Sequence, residues 1–117
     1  MSEFEPVSAK LLVTQDPEIL RQILSERVAK GVELLDKIDP EWFLKIDLEE
    51  LDFQGPGRDV LQQLFKDPAK AAEDMGISGQ ESYFGFFPPM ISHCLQLKEA
   101  WRQVVQKKAM DAYFSQN

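Results

Sequence analysis

Residues 16–39 read DPEILRQILSERVAKGVELLDKID, and the start and period of this stretch set the helical class of the chain. Asp16 is placed to accept a hydrogen bond from a free backbone N–H of a first helical turn. Pro17 loses nothing at the next position, because its N–H would be unpaired there anyway. Both carboxylates, Asp16 and Glu18, favour the positive end of a helix dipole. Leu20, Ile23, Leu24, Val28, Leu34, Leu35 and Ile38 then follow a helical period. The pattern predicts an amphipathic helix over 17–38, roughly 33 Å long at 1.5 Å per residue. Gly31 lies inside it and costs about 1 kcal/mol relative to alanine. It serves either a close helix crossing or a mild kink.

The same start recurs at Asp39-Pro40-Glu41 and Asp67-Pro68-Ala69, which marks a helical protein. The residues after each start differ, so this is not a sequence repeat. Residues 39–52 read as two short helical turns. The first passes through Trp42 to Lys45, with Ile38 stapled onto Phe43. The second is capped by Asp47, with Glu50 three residues on and Ile46 facing Leu51. Gln54-Gly55-Pro56-Gly57 breaks the chain. Arg58 to Lys66 resumes a helix with Val60, Leu61, Leu64 and Phe65 on one side. Pro68 to Met75 forms another and stops at Gly76, with Ile77 placed for a Schellman contact. Ser78 and Glu81 form one more capping-box pattern. Tyr83 to Met90 reads as an ordered aromatic loop, since consecutive prolines exclude a central strand.

The last helix runs from Ser92 towards Phe114. Leu97, Ala100, Trp101, Val104 and Val105 make its buried stripe, and Lys107 and Lys108 lie near its end, where positive charge is favoured. Lys10 to Val13 reads as a strand or as an apolar arm lying across the bundle; no second strand is evident, which favours the arm. The expectation is an all-α, compact, irregular bundle of two long helices (about 17–38 and 92–114) with three to four short helices between them. Residues 1–15 form an N-terminal arm and 16–117 a single helical domain.

Bulk properties narrow the class. A chain of 117 residues with 44% apolar content has enough material for one core. Eight Phe, two Trp and two Tyr supply bulky rings to fill it. The single cysteine, Cys94, allows no internal disulfide and points to a reducing, cytoplasmic setting. Met1 to Glu5 is acidic and has no apolar signal core. No stretch is long and apolar enough to span a bilayer. The net charge is −7, and residues 33–59 hold most of the excess, with 9 acidic against 3 basic groups. Such a field repels phosphate backbones, so nucleic-acid binding is disfavoured.

No catalytic set emerges, and neither a metal nor a cofactor is expected. His93 and Cys94 are adjacent, which on a helix points them about 100° apart and makes a poor chelate or nucleophile–base pair. They read as a half-buried cysteine and a surface or loop-packing histidine. No Glu-x-x-His pair, EF-hand, P-loop, dinucleotide fingerprint or Gly-x-Ser-x-Gly elbow occurs. Asp47, Glu50 and Asp52 read as a solvated acidic surface. Gly55-Pro56-Gly57 reads as a plain turn, and Trp42 and Trp101 as core.

The aromatic loop is the strongest surface candidate. Its rings either close one end of the bundle or stay partly exposed to dock a partner or a second subunit, for which Tyr83, Phe84, Phe86, Phe87 and Met90 are the candidates. The leading expectation is a non-enzymatic protein-interaction or regulatory module, with an unidentified protein partner or self-association. Two other readings stand beside it. One is an acidic inhibitor that imitates nucleic acid; the other is a small-molecule binder using loop 83–90, or an unrecognised enzyme.

One sequence pattern adds a resemblance. It runs Gly31-x-x-Leu34-Leu35-Asp36, Pro40-x-Trp42, Ile46-Asp47-Leu48-x-x-Leu51-Asp52, Val60-Leu61-x-Gln63-Leu64-Phe65, Gly85-Phe86 and Leu97-x-x-Ala100-Trp101. This order resembles a family of short helical proteins of unknown function from bacteria and bacteriophages, over about Ala29 to Lys107. The resemblance implies common descent and brings no activity with it. Members of that family often carry a Ser- and Cys-containing segment where this chain has Phe53 to Asp59. Any metal or redox role of those cysteines is therefore not implied for this chain.

Overall fold

Asp16 starts the first helix as its sequence predicts. In the computed structural model, which describes residues 16–55 and 57–115, its carboxylate accepts from the Glu18 N–H at 2.9 Å, and Pro17 takes the first helical position. Helix α1 (Pro17–Ile38) continues for 22 residues and buries Leu20, Leu24, Arg27, Val28, Gly31 and Leu35. Asp39 turns the chain extended at its end. A 3-10 turn, Trp42–Lys45, is followed by α2 (Val60–Leu64), α3 (Pro68–Asp74) and two further 3-10 turns, Glu81–Phe84 and Ile91–His93. Helix α4 (Cys94–Ser115) closes the order with another 22 residues. The fold is all-α, with no strand among the described residues.

The caps account for the short helices. Asp59 accepts from the Gln62 N–H, and the Gln62 side chain accepts in return from the Asp59 N–H, so α2 starts with a full capping box. The α3 stop is a Schellman motif: Ile77 N–H reaches the Ala72 carbonyl at 2.9 Å, Gly76 N–H reaches Glu73 at 3.0 Å, and Gly76 has φ of 76°.

Four details of the sequence reading change. Asp47 does accept from the Glu49 and Glu50 N–H groups, yet only a turn forms there. Its own N–H is held by Gln63 Oε1 at 2.7 Å, and Asp52 N–H bonds to the Arg58 carbonyl, which pulls the segment away from a helical path. Helix α2 is shorter than Arg58 to Lys66 because Phe65 is extended. The Ser78–Glu81 box does not form: Gly79 turns with φ of 83°, and the 3-10 turn after Gln80 has no side-chain cap. The last α-helix begins at Cys94, entered through a 3-10 turn, rather than at Ser92. The Lys10–Val13 segment and the whole 1–15 arm lie outside the described residues.

Matching neighbours rise together along the two long helices. Gly31 faces Trp101 and Asp36 pairs with Lys108, so α1 and α4 run in the same direction and the intervening chain must travel back along the bundle. Trp101 is the centre of the core. Its ring stacks on Phe86 at 5.6 Å, meets Trp42 edge-on at 5.8 Å, and its indole N–H donates to the Gly85 carbonyl at 2.6 Å. Both tryptophans are fully buried, as the sequence predicts. A Cβ on Gly31 would collide with the Phe84 carbonyl oxygen and crowd Phe86 and Trp101 at 3.2 and 3.3 Å. Gly31 therefore serves a close crossing. Asp36 ties the bundle at its other end, accepting from the Trp42 indole N–H at 2.8 Å and from Lys108 at 3.1 Å.

Candidate functional site

From Ser82 to Leu97 the chain has no Asp, Glu, Lys or Arg, although 28% of its residues are charged. This stretch holds the aromatic loop and the entry to α4. Its first half is pinned to α1. Gly85 caps the Glu81–Phe84 turn in the left-handed region (φ 76°), and a Cβ there would lie 2.8 Å from both the Val28 Cα and N. Only glycine lets the loop press this close to the helix backbone. Phe86 N–H then reaches back to the Glu81 carbonyl at 3.0 Å, which aims the Phe86 ring inward.

Arg27 is the second clamp. Its side chain is largely buried, and its partly buried guanidinium donates to the Ser82 hydroxyl at 3.2 Å and carbonyl at 3.4 Å and sits 4.9 Å from the centre of the Tyr83 ring. Burial lowers the Arg27 pKa from its ordinary value, and the Tyr83 hydroxyl opposes that shift. The cation is thus engaged in holding the loop.

The five candidates of the sequence reading divide here. Phe86 is fully buried in the core, so it offers no surface to a partner. Phe84 packs half-buried against the same core. Tyr83, Phe87 and Met90 stay exposed. The structure adds two residues that sequence reasoning passed over: Ile91 is 82% exposed and Leu95 74%. Leu95 was findable, since it lies two positions before Leu97 and so about 200° around the helix from the buried stripe. Ile91 and Leu95, four positions apart, are near neighbours at the mouth of α4. Phe87, Met90, Ile91 and Leu95 are four exposed apolar side chains within nine residues of chain, an apolar shoulder at the entry to α4, and Tyr83 lies over Arg27.

A groove of about 320 Å³ borders the shoulder. Pro17, Arg21 and Ser25 form its α1 wall, and Leu95, Glu99 and Gln103 its α4 wall. Arg21 is paired with Glu18 at 2.8 Å, and Glu99 with Arg102 at 2.6 Å. Hydrogen bonds from Arg102, and then Gln103, hold the Glu99 carboxyl below the usual range. A second groove of about 340 Å³ lies elsewhere, between Leu34 and Ile38 of α1, Phe65, and Ala71 and Met75. Neither groove takes a side chain from loop 83–90.

His93 and Cys94 are both buried: of the two histidine alternatives the packed one holds, and the cysteine is buried rather than half-buried. Burial raises the Cys94 thiol pKa and the Asp52 carboxylate raises it further, the opposite of what activates a nucleophilic thiolate. His93 Nδ1 meets no hydrogen-bond partner among the described residues. Among those residues, too, no group of three or more His, Cys, Asp or Glu side chains is placed to hold a metal ion. No described helix is long and apolar enough to cross a membrane.

Five of the nine carboxylates in residues 33–59 are occupied by the fold itself. Asp36 holds Trp42 and Lys108, Asp39 the Glu41 N–H and Lys45, Asp47 the Glu49 and Glu50 N–H groups, Asp52 the Gln54 N–H, and Asp59 the Gln62 N–H. No family model, curated protein or solved structure matches this chain.

Proposed function

We propose that this chain is a non-enzymatic protein-binding module that docks through the shoulder of Phe87, Met90, Ile91 and Leu95. One observation carries the reading: an uncharged stretch buries Phe86 and Leu97 and leaves four large apolar side chains between them in solvent. Isolated apolar residues on a surface are ordinary, whereas several together mark a contact surface. Aromatic residues and methionine are the types enriched in such contacts. The reading favours a cytoplasmic protein, because a single buried free thiol suits a reducing compartment. The nucleic-acid-mimic alternative loses ground, since most carboxylates of the acidic stretch are spent on caps and ion pairs.

The test compares two baits. The 117-residue protein and an Ile91→Glu/Leu95→Glu variant are immobilised and exposed to native lysate. The variant is first checked by circular dichroism for an unchanged helical spectrum. A protein retained by the wild type and lost from the variant is the expected result. Identical retained sets on both baits would remove the shoulder as the docking site.

A further inference from the structure

The four arginines of the chain divide three to one. Arg21, Arg58 and Arg102 each lie within ion-pair distance of a carboxylate, Glu18 at 2.8 Å, Glu50 at 4.0 Å and Glu99 at 2.6 Å, and their side chains are at least 42% exposed. Arg27 is the most buried of the four, and among the described residues it pairs with no carboxylate. A buried cation ordinarily brings a counter-ion with it, because its desolvation is otherwise uncompensated. Carboxylates are not scarce in a chain with 20 acidic and 13 basic residues. The missing partner is therefore a property of this position.

The guanidinium is only partly occupied. Nη1 donates to the Ser82 hydroxyl and carbonyl, and the Tyr83 ring covers one face at 4.9 Å. Nε and Nη2 make no hydrogen bond to any described residue, and neither is sealed from solvent. These two nitrogens share the edge of the group that faces away from its own stem. Their N–H bonds run side by side in one plane, the geometry that grips both oxygens of a carboxylate. We infer that this open edge of Arg27 is a binding site for a carboxylate group.

Charge and rigidity both favour that ligand. One cation calls for one negative charge. The net charge of −7 disfavours adding more than that, which selects a carboxylate over a phosphate dianion. Ser82 and Tyr83 hold the fork in place before anything binds, so little freedom is lost on binding. Partial burial makes the pair stronger than the same pair in open water. The site goes beyond the docking reading and stands without it. The two meet only where the carboxylate belongs to an Asp or Glu side chain of the docked partner.

The experiment titrates the 117-residue chain with acetate at fixed ionic strength and follows the four arginine Nε–H signals by heteronuclear NMR. The Arg27 signal is the one absent from Arg27→Lys, which keeps the charge and lacks the fork. Should that variant lose its helical circular dichroism spectrum, through-bond correlation to the Arg27 backbone amide identifies the signal in the wild type. The Arg27 signal alone is expected to shift and to saturate, at about millimolar acetate for a single charge-assisted pair. Arg21, Arg58 and Arg102 serve as internal controls. No shift, a shift shared by all four arginines, or a shift reproduced by chloride overturns the site. Phosphate that binds more tightly than acetate overturns the assignment to a carboxylate. A folded Arg27→Lys bait in the lysate comparison separates the sources: loss of the retained protein assigns the carboxylate to that partner, and unchanged retention assigns it to a free acid.

Discussion

Residues 33–59 and residues 82–97 use opposite chemistry for one purpose, returning the chain between two parallel helices. The acidic stretch turns by hydrogen bonding: Asp39, Asp47, Asp52 and Asp59 each accept from a backbone N–H two or three positions on. The uncharged stretch turns by burial, with Gly85 against Val28 and Phe86 under Trp101. The difference changes how each composition is read for function. Carboxylates that satisfy their own backbone say little about partners. Apolar side chains beyond those the core can accept say more, and Phe87, Met90, Ile91 and Leu95 are that excess.

If burial dominates in the second region, its centre must be the most sensitive point. Trp101→Ala removes the ring between Phe86 and Trp42 and leaves the buried Gly85 carbonyl without its donor. A loss of about 3–5 kcal/mol is expected by urea unfolding. Such a loss leaves a chain of this size marginal or unfolded. A loss under about 1 kcal/mol would undo the contrast, because it would mean the loop is held by something other than packing.

Gly31→Ala is expected to cost about 1–3 kcal/mol, through overpacking against the Phe84 carbonyl, Phe86 and Trp101. The sign is diagnostic. At an ordinary helical glycine, alanine would stabilise by about 1 kcal/mol. A stabilised variant would show that the loop can withdraw from α1, and so that Phe84 and Phe86 are not fixed by the crossing.

The sequence disclosed the helices better than the surface. The Asp16 and Asp67 starts and two apolar stripes placed α1, α3 and the body of α4, because caps and periodicity act locally; the Asp39 start did not, since Asp39 ends α1 and the 3-10 turn after it begins at Trp42 without a side-chain cap. Asp47 shows where local rules end. Its cap bonds form as read, but Gln63 from another segment captures its N–H, and no spacing in the sequence announces that partner. Asp59 was overlooked although Gln62 lies three positions later, a capping box legible by rule. Within the aromatic loop no local rule sorts Phe86 from Phe87. Which ring turns inward depends on the left-handed Gly85 and its approach to Val28, a tertiary contact.

Asp59 probes the acidic region in the same way. Asp59→Ala loses the cap of α2 and is expected to cost about 1 kcal/mol. Asp59→Asn keeps an acceptor and removes the charge. Burial raises the Asp59 carboxyl pKa, and the Gln62 and Leu61 N–H groups pull back only part of that rise. Its folded pKa therefore lies above its unfolded one, so its stabilising contribution is full below the unfolded value and is lost as pH rises through the folded value. Relative to Asp59→Asn, the wild type should lose stability from about pH 4 upward until the carboxyl is ionised. Melting temperatures across that window check it. A gap between the two proteins that is constant with pH would mean the carboxyl is not strained by its burial.

The smallest effect is expected where the side chains are most exposed. Ile91→Ser and Leu95→Ser remove apolar atoms that face solvent in the single chain, so the unfolding free energy of the monomer should stay within about 0.5 kcal/mol of wild type. The variants and wild type should therefore melt together. A deficit in either variant would mean that Leu95 and Ile91 support the folded chain, which would return them to the same structural account as Phe86 and remove the surplus on which the functional reading stands.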